Sequence, residues 1–596
     1  MKAVILAAGY GNRMRPLTDQ VHKTLLKVAG ETIIDRILSG LSQNRVSEVV
    51  LVTGHRASEL EAHVISCHPH LHFTFVRNQR FRETNNIYSM ALAFEQADMD
   101  DDILLIESDL VYEPSVISRI IASAHENVAL VDRYRTGMDG TVVSLAGDRI
   151  VSVIPAHLQD ENFSFADKYK TLNIYKFSKE FCRTKFSKIL TYYAKVIDDN
   201  CYYELILGVL IYMQQASINA EIIGDEKWAE VDDANDLRVA EYVFSPQSRQ
   251  SLLEKSMGGY WAVDTVDFCF IRNMYFPNAS MLSEMKNNLP KLLHNYGSTQ
   301  KILNEKMAFF LLCESRYVTA LNGLSQIYPL LRARFAGKTV LIPEPTFGEY
   351  LRIAEKRITY KDQFGIDLDA LASKIQQADV VVVVNPNNPS GSSVDSKRIL
   401  QLAKKHADKI FIVDESFIEF SGEISLQHLL ATESIANVLV LCSLSKSLGV
   451  PGLRLGYVYT YDLEFNDWLN QQIPVWNMNS LAENFLEIVL KHRKSLADSI
   501  QTTIADRTQF VFGLKQLGCF EQVADSRANF VLVSMPDKES ARKTTMHLLA
   551  AENIFVKDVS AKFAGPQGFL RFAVRTPAEN TRLIAALQQM RKSPGL

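Results

Sequence analysis

A lysine in the second half of the chain stands where an amine could attack a carbonyl group. Lys446 lies among small residues in SLSKSLGVPGLRLGY (443–457), and Arg454 follows eight positions later. A lysine amine held against an aldehyde forms a Schiff base, whereas a lysine in an exposed loop is only a solvated cation. The stretches NPNNPSG (385–391) and VDESF (413–417) precede this lysine, and each follows a β-rich run.

The chain begins with a glycine loop that suits phosphate. In MKAVILAAGYGNRMRPLT an apolar run enters a loop with Gly9 and Gly11. Such a turn after a strand usually brings backbone N–H groups close to phosphate. A dinucleotide fingerprint would need a third glycine at position 14, where this chain has Met14. The sequence turns basic instead, with Arg13 and then Lys23, so the loop indicates several exposed negative charges, as in a triphosphate.

Carboxylates follow two later runs of β-formers. Asp109 comes after DILLIES, and Asp232 and Asp233 come after WAEV. In open parallel sheets, ligands bind outside the carboxyl ends of the strands. Magnesium takes one or two carboxylates together with phosphate oxygens, so these residues indicate Mg²⁺ bridging nucleotide phosphates. The alternative is that they cap helices or lie in turns.

Composition places the chain among soluble globular proteins. Hydrophobic residues make up 47% and charged residues 22% of its 596 residues. The net charge of −4 gives no reason to expect nucleic acid, and no apolar run reaches the roughly 20 residues of a membrane span. There is no signal-peptide pattern, and the seven cysteines are scattered without C-x-x-C. We therefore expect a cytoplasmic protein with reduced thiols.

Two α/β patterns that would position these residues stand in tandem. In residues 1–243, strands such as AVILAAG, EVVLVTG and DILLIESD alternate with helical stretches, which is typical of a mostly parallel, Rossmann-like sheet. The polar stretch SPQSRQSLLEKSMGG predicts a linker at 244–259. A second α/β pattern fills 260–596, with DVVVVVN, KIFIVDE, NVLVLCSLS and FLRFAVR as strands.

The motifs of the first half resemble those of a known enzyme family. LAAGYGNRMRPLT, the lysine of HKTLL, ESD and EVDDANDL resemble nucleotidyltransferases of the sugar-phosphate and phosphocholine type, over about 1–243. TNNIYSM (84–90) and MDGTVV (138–143) resemble the cytidylyltransferase branch. The resemblance implies that a phosphate or phosphonate oxygen attacks the α-phosphorus of CTP and that pyrophosphate leaves. One departure is HKT, where the family usually has a proline beside the lysine.

This resemblance implies roles for individual residues of the first half. Gly11 and Arg13 would cradle the triphosphate, and Lys23 would contact the reacting phosphates. The nucleotide-binding residues that it implies are Ala8, Gly9, Gly11, Asn86 and Ser89, and the Mg²⁺ ligands are Asp109 and Asp232. Positioning and charge neutralisation suffice for this chemistry, without a nucleophilic side chain.

The motifs of the second half resemble a different family. NPNNPSG, VDESF and SLSKSLGVPGLRLGY, in this order, resemble fold-type I pyridoxal-phosphate enzymes of the class I/II aminotransferase group, over about 260–596. The resemblance implies that Lys446 forms the Schiff base with pyridoxal 5'-phosphate (PLP). Asp414 would pair with the pyridinium nitrogen, and Asn388 would bond to the ring hydroxyl.

The same resemblance implies the remaining cofactor contacts. Phe347 would stack on the ring, and Tyr296 would reach the cofactor phosphate from a neighbouring subunit, which implies a homodimer. The residues implied to hold the phosphate within the subunit are Asn322, Gly323, Leu324, Ser325, Ser443 and Arg454.

Three features bear on which bond the second half breaks. Phe417 stands three residues after Asp414, where aminotransferases of this group usually have a tyrosine. VPGLRLGY and LRFAVRTPAEN are more similar to the threonine-phosphate decarboxylase branch, a relative of histidinol-phosphate aminotransferase. In FLRFAVR, Arg571 and Arg575 would share a strand face about 13 Å apart. Arg571 matches the residue that binds the α-carboxylate in the family, and we expect Arg575 to meet a phosphate or phosphonate; the alternative for Arg575 is a solvated charge.

Both halves imply a small amino compound that carries a phosphate or phosphonate. The whole-chain order resembles bifunctional cytidylyltransferase–decarboxylase enzymes of phosphonate pathways. We therefore expect CTP-dependent cytidylyl transfer coupled to PLP-dependent decarboxylation of the phosphorylated or CMP-linked amino acid. The alternative makes the second half an aminotransferase of the aminophosphonate or histidinol-phosphate type. A non-catalytic scaffold is disfavoured because both sets of site residues look complete.

Overall fold

Two sheets organise the protein, each in its own part of the chain. The computed structural model describes residues 1–135, 137–160 and 162–592. The chain divides into unit 1, Met1–Asp264, and unit 2, Thr265–Leu596. Each unit alternates strands with helices, so the predicted fold class of two tandem α/β units is confirmed.

Unit 1 contains thirteen strands and nine α-helices among its described residues. Its strands are Lys2–Ala7 (β1), Lys27–Val28 (β2), Glu31–Thr32 (β3), Glu48–Thr53 (β4), His72–Arg77 (β5), Ile103–Glu107 (β6), Leu110–Tyr112 (β7), Val128–Arg133 (β8), Val142–Ala146 (β9), Arg149–Ile154 (β10), Tyr169–Phe177 (β11), Asn219–Ile222 (β12) and Trp228–Glu230 (β13). Its helices are Ile33–Gln43 (α1), Ala57–Cys67 (α2), Asn86–Gln96 (α3), Pro114–Ala122 (α4), Lys179–Phe181 (α5), Ser187–Tyr192 (α6), Glu204–Tyr212 (α7), Ala234–Phe244 (α8) and Arg249–Ser256 (α9).

The main sheet of unit 1 has nine strands in the order β5-β4-β1-β6-β11-β8-β12-β10-β9. Strands β5, β4, β1 and β6 are parallel, and β11 runs antiparallel to β6. Successive residues of a strand point to opposite faces, so Ile5 and Leu6 of β1 enter two different cores. Burial on both faces explains why these strands read as continuous apolar runs. The carboxyl ends of β1 and β6 therefore lie side by side.

Unit 2 also contains thirteen strands, with eleven α-helices, among its described residues. Its strands are Val266–Asp267 (β14), Val318–Asn322 (β15), Thr339–Glu344 (β16), Lys356–Lys361 (β17), Val380–Val384 (β18), Ile410–Asp414 (β19), Val438–Ser443 (β20), Leu455–Thr460 (β21), Gln522–Val523 (β22), Phe530–Met535 (β23), Ile554–Phe555 (β24), Lys557–Asp558 (β25) and Gly568–Ala573 (β26). Its helices are Ala279–His294 (α10), Gln300–Leu311 (α11), Ile327–Arg334 (α12), Leu368–Ile375 (α13), Ser396–Lys405 (α14), Leu426–Glu433 (α15), Leu463–Gln472 (α16), Ser480–Val489 (α17), Arg493–Leu517 (α18), Lys538–Glu552 (α19) and Pro577–Lys592 (α20).

The main sheet of unit 2 has seven strands in the order β15-β21-β20-β19-β18-β16-β17. Strand β21 runs antiparallel to both of its neighbours, and the other adjacent pairs are parallel. Register pairs Val384 with Asp414 and Asp414 with Leu441, so β18, β19 and β20 end at one edge. A second, antiparallel sheet of order β22-β23-β26-β25 carries Arg571 on β26.

The stretch predicted as a linker, 244–259, contains helix α9 and belongs to unit 1. Leu253 of this helix is buried, and the Arg249 guanidinium donates a hydrogen bond of 2.9 Å to the carbonyl of Tyr242. These contacts hold a segment whose polar composition is typical of a linker. The functional boundaries at 243 and 260 stay a proposal.

Two further findings concern the cysteines and the helices. All seven cysteines are free thiols. No helix in the described ranges is both long and apolar enough to cross a lipid bilayer.

The pattern FLRFAVR does not form one continuous strand. Strand β26 ends at Ala573, so Arg575 lies beyond it and the predicted strand face shared with Arg571 does not form. Arg575 is buried, and its guanidinium donates to the carbonyl of Asp267 and to Glu579, both at 2.7 Å. The Arg575 guanidinium therefore joins the start of unit 2 to helix α20.

Replacing Arg575 with alanine should destabilise unit 2 by about 2–4 kcal/mol, because it leaves a buried carbonyl and a carboxylate without their cation. Urea unfolding of the full chain measures the effect. Arg582→Ala is the matched control, since this exposed arginine of helix α20 also donates to a carbonyl. Its replacement should change the free energy of unfolding by no more than about 0.5 kcal/mol. Unchanged stability with a lost substrate affinity would restore the substrate-binding role of Arg575.

Candidate active sites

The glycine loop of unit 1 folds tightly against the residues that follow it. Gly11 has φ +66°, and a Cβ there would lie 3.1 Å from the Thr18 methyl group. The Thr18 hydroxyl donates a 2.9 Å hydrogen bond to the Gly11 carbonyl. Only glycine adopts this left-handed conformation without strain, so position 11 needs glycine for both reasons.

Lys23 joins the two predicted metal ligands. Its amine lies 3.0 Å from Oδ2 of Asp109 and 3.0 Å from Oδ1 of Asp232. Burial lowers the pKa of Lys23, but these carboxylates more than offset that effect and raise it overall. Arg13 adds a 2.8 Å ion pair to Oδ2 of Asp232. Four residues from three distant parts of the sequence thus form one charged cluster.

The neighbouring aspartates 232 and 233 have different structural roles. Asp233 is the N-cap of α8, and its carboxylate accepts hydrogen bonds from the backbone N–H groups of Asn235 and Asp236. Asp232 faces Lys23 instead. The capping alternative therefore applies to Asp233. The carboxylate of Asp232 caps no helix in the described structure and remains a candidate Mg²⁺ ligand.

The donor set at this cluster fits Mg²⁺. Asp109 keeps its Oδ1 buried and without a protein hydrogen-bond partner in the described structure, while Oδ2 faces Lys23. A buried carboxylate oxygen without a partner is costly unless a ligand satisfies it. Asp109 and Asp232 together offer the one or two carboxylates that magnesium commonly takes.

A cavity of about 590 Å³ opens beside this cluster. It is lined by the residues proposed for the nucleotide, namely Ala8, Gly9, Gly11, Asn86 and Ser89. The Asn86 amide donates to Glu107 at 3.0 Å and its oxygen accepts from the Tyr203 N–H. Asn86 is therefore held rigidly at the wall of the cavity.

Sequence reasoning missed an acidic group in the same cavity. Glu107, Glu204 and Glu230 line it, and Lys170 forms a 3.0 Å ion pair with Glu230. Burial raises the pKa of Glu204 and raises that of Glu230 to about 7. For Glu107, burial and the charges of Asp109 and Glu204 raise the pKa well above its usual range. Glu107 and Glu230 each precede a predicted metal ligand by two residues, within ESD and EVDDANDL, whereas no local pattern marks Glu204.

In unit 2 the predicted residues lie at the strand ends. Asn322 ends β15, Asp414 ends β19 and Ser443 ends β20. The Ser443 N–H donates a 2.9 Å hydrogen bond to the hydroxyl of Ser416, which itself donates to Asp414 at 2.6 Å. Ser416 therefore links two proposed cofactor residues, although the sequence motif did not single it out.

An arginine lies directly against the backbone of the loop after β15. A Cβ at Gly323, which has φ +76°, would lie 2.6 Å from the Arg454 guanidinium. Arg454 also donates a 2.9 Å hydrogen bond to the hydroxyl of Ser325. In the described structure the Asn322 Oδ1 is buried without a partner. This cradle at the start of α12 suits a phosphate group, because a helix N-terminus also favours anions.

Asp414 and Lys446 form the polar centre of unit 2. The hydroxyl of Tyr350 donates to Oδ2 of Asp414 at 2.7 Å, a contact not foreseen from the sequence. Burial lowers the pKa of Lys446 to about 8, assisted by the charges of Arg571 and Arg454 and opposed by that of Asp414. A lysine with this pKa is much more often neutral near pH 8 than an ordinary lysine, as a nucleophilic amine requires.

The other predicted residues lie around this centre or outside it. Asn388 accepts a 2.7 Å hydrogen bond from Arg571, so these two predicted ligands are in contact. The Phe347 ring is partly exposed and lies 6.0 Å from the ring of Tyr328. Tyr296 is 78% exposed and stacks on Trp476. Within the described residues, no hydrogen bond, ion pair or ring contact joins Tyr296 to Asp414 or Lys446.

A family profile described as "Aminotransferase class I and II" matches residues 272–587. The chain belongs to this family. A profile described as a MobA-like NTP transferase domain matches residues 3–170. The protein is therefore a nucleotidyltransferase domain fused to a PLP-dependent aminotransferase-fold domain, as its motifs predicted.

Three similar proteins illustrate the relationships of this family member. The CMP-5'-(3-aminopropyl)phosphonate synthase of Streptomyces rubellomurinus is 30% identical, over all of this chain and 96% of that protein. The L-serine phosphate decarboxylase of Campylobacter jejuni is 28% identical over 54% of this chain and 87% of that protein. A decarboxylase structure from Sulfurospirillum multivorans is 26% identical, with a TM-score of 0.50 over 57% of this chain and 92% of that one.

Gly323→Ala should weaken retention of PLP at least about tenfold, because its Cβ displaces the Arg454 guanidinium from the cradle. Gly337→Ala is the matched control, with φ +77° but no atom within 4 Å of its Cβ. Both variants place an alanine at a positive φ, which strains the backbone, but only Gly323→Ala also brings a Cβ into collision with Arg454. Equilibrium dialysis with PLP separates them, and equal retention would remove Arg454 from the cradle.

Proposed function

We propose that unit 1 transfers CMP from CTP to a small amino phosphate or phosphonate, and that unit 2 decarboxylates the phosphorylated or CMP-linked amino acid. The observation that carries the proposal is that one chain holds the Lys23–Asp109–Asp232 cluster and the Lys446–Asp414 centre. Similarity to a CMP-aminophosphonate synthase over both units supports it, and so does similarity of unit 2 to a serine phosphate decarboxylase.

In unit 1 the protein mainly positions reactants and offsets charge. We assign Arg13 and Lys23 to the phosphates of CTP, because they are the cations beside the glycine loop. Asp109 and Asp232 would hold Mg²⁺, which when bound neutralises charge on the phosphates. The acceptor oxygen then forms its bond to the α-phosphorus while pyrophosphate leaves, and no protein nucleophile is required.

In unit 2 the side chains hold the amino acid and move protons. When bound, PLP supplies an electron sink for the carbanion left by CO₂. Asp414 would stabilise the protonated ring nitrogen, and Arg571 would bind the α-carboxylate. With a pKa of about 8, the Lys446 amine is suited to deliver a proton to Cα after CO₂ departs.

The surroundings of Phe417 favour decarboxylation over transamination. Its ring is buried in an apolar cluster, with its centroid 5.1 Å from that of Phe530. The Arg571 guanidinium lies 5.6 Å from the centroid of the same Phe530 ring. Related aminotransferases carry a tyrosine hydroxyl at this position. Here the position is an apolar ring that packs against Phe530, next to the proposed carboxylate ligand Arg571, and it offers no hydroxyl to the site.

We also propose a homodimer formed through unit 2 and acting in the cytoplasm. Exposed apolar side chains on α10, on α11 and directly after α11 support the dimer, and they include Leu282, Leu293, Phe309 and Leu312. Free thiols at all seven cysteines are usual in a reducing compartment.

Asp109→Asn should reduce magnesium-dependent CMP transfer about a hundredfold or more, because a neutral amide is a poor ligand for a hard cation. Asp233→Asn is the control, since asparagine caps a helix as well as aspartate does. Pyrophosphate release measured against Mg²⁺ concentration compares the two. An Asp109→Asn variant with the parental magnesium response would show that Asp109 is not a metal ligand.

The parent protein should release CO₂ from the phosphorylated or CMP-linked amino acid without a keto-acid acceptor. Mass spectrometry after incubation with CTP, Mg²⁺ and PLP identifies the products. Lys446→Ala should lose CO₂ release and keep CMP transfer, because the two units have separate cores. Strict dependence on a keto acid, with no CO₂, would establish the aminotransferase alternative instead.

A further inference from the structure

The hairpin that carries Arg571 brings three cations together. Lys557 of β25 pairs directly with Arg571 of β26, and Lys562 lies in the short helical turn Ser560–Lys562 between the two strands. Side chains of directly opposed residues in an antiparallel pair lie on the same face of the sheet. We call Lys557, Lys562 and Arg571 the basic cluster.

The basic cluster forms no ion pair with a carboxylate among the described residues, although the charge of Asp267 partly offsets the effect of burial on the pKa of Arg571. The Lys562 amine donates to the carbonyl of Thr346 at 2.7 Å, and Arg571 donates to the Asn388 side chain and the Cys269 carbonyl. All of these acceptors are neutral. In the described part of the chain, no aspartate or glutamate forms an ion pair with any member of the cluster.

This arrangement is electrostatically costly without an anion. Burial, together with the positive charges of Arg571 and Lys557, lowers the pKa of Lys562 to about 8. Like charges in a partly buried site repel unless a counterion enters. A bound anion would remove that repulsion.

The basic cluster also lies beside the residues that are proposed to hold the cofactor ring. Thr346, the acceptor for Lys562, directly precedes Phe347, and a Cβ at Gly348 would lie 4.0 Å from the Lys562 amine. Arg571 contacts Asn388, the proposed ligand of the ring hydroxyl. The loop that carries the proposed stacking ring thus lies against Lys562.

We propose that Lys562, assisted by Lys557, binds the phosphate or phosphonate group of the amino acid substrate in unit 2. This assignment rests on the proposed function of unit 2. It gives Lys562 the role that the sequence pattern predicted for Arg575, whose guanidinium is already occupied by Glu579 and a carbonyl. Lys562 is thus a specificity-determining residue, while Arg571 is left for the carboxylate.

The test compares ligands with and without the anionic group. The PLP-loaded full chain is titrated with L-serine O-phosphate, with its cytidylyl conjugate and with L-serine, and the change in visible absorbance gives each Kd. Lys562→Gln keeps a donor for the Thr346 carbonyl and removes the charge. We expect its affinity for at least one phosphorylated ligand to fall about ten- to a hundredfold, with L-serine unchanged.

Three controls make the result decisive. Lys562→Arg should keep most of the affinity, and Lys543→Gln, at an exposed position of α19, should keep all of it. The resting absorbance of Lys562→Gln shows whether the cofactor site is intact. A loss for the monoester, for the conjugate or for both identifies which anion the cluster binds.

Two results would overturn the assignment. The first is an equal loss for L-serine, which would show that Lys562 only positions the Phe347 loop. The second is a parent protein that binds the phosphorylated ligands no more tightly than L-serine, or a Lys562→Gln variant that keeps the parental affinity for both phosphorylated ligands. A parent that binds these ligands through Lys562 but releases no CO₂ would leave the assignment standing and refute decarboxylation.

Discussion

Parallel strand pairing is the constraint on which both sites depend. Hydrogen bonds between parallel strands place the carboxyl ends of distant segments at one edge of a sheet. In unit 1 this edge brings the loop after β1 to the residues after β6, and in unit 2 it aligns Asp414 with the ends of β18 and β20. Apolar strands buried on both faces fix the register, since a slip by one residue would exchange the two cores.

The two centres use charge in opposite ways. In unit 1, two carboxylates and two cations largely cancel, so the Lys23 cluster is stable before any ligand binds. A metal and a triphosphate would enter by exchanging partners with Lys23 and Arg13. In unit 2, no ion pair with a carboxylate is found for Lys446, Arg454 or Arg571 in the described structure. Burial with the two arginine charges lowers the pKa of Lys446, although Asp414 opposes the shift. Ligand binding in unit 1 therefore exchanges the existing partners of Lys23 and Arg13. Ligand binding in unit 2 adds an anion beside cations that have no ion-pair partner in the described structure.

Much of the fold could be predicted because short stretches of the sequence determine it. Continuous apolar runs predicted the strands, and the rule that ligands bind at strand ends predicted Asp109 and Asp232. Lys23, Asp414 and Lys446 were predicted from motifs that resemble those of the two enzyme families. Glu204 and Tyr350 could not be found in this way, because each reaches its site only through a tertiary contact. Arg575 was wrongly placed on a strand face because periodicity does not show where β26 stops. Helix α9 was missed because burial of Leu253 outweighs a polar composition.

The contact between Gly323 and Arg454 has a consequence for how the chain tolerates change. The guanidinium fills the space that any side chain at position 323 would need, although 131 residues separate the two positions. The two positions therefore share one volume, and neither can be varied freely alone. A larger residue at 323 requires the Arg454 guanidinium to move away or position 454 to become smaller, and either change removes the cation from the cradle. Steric exclusion thus ties the identity of the glycine to the charge of the cradle.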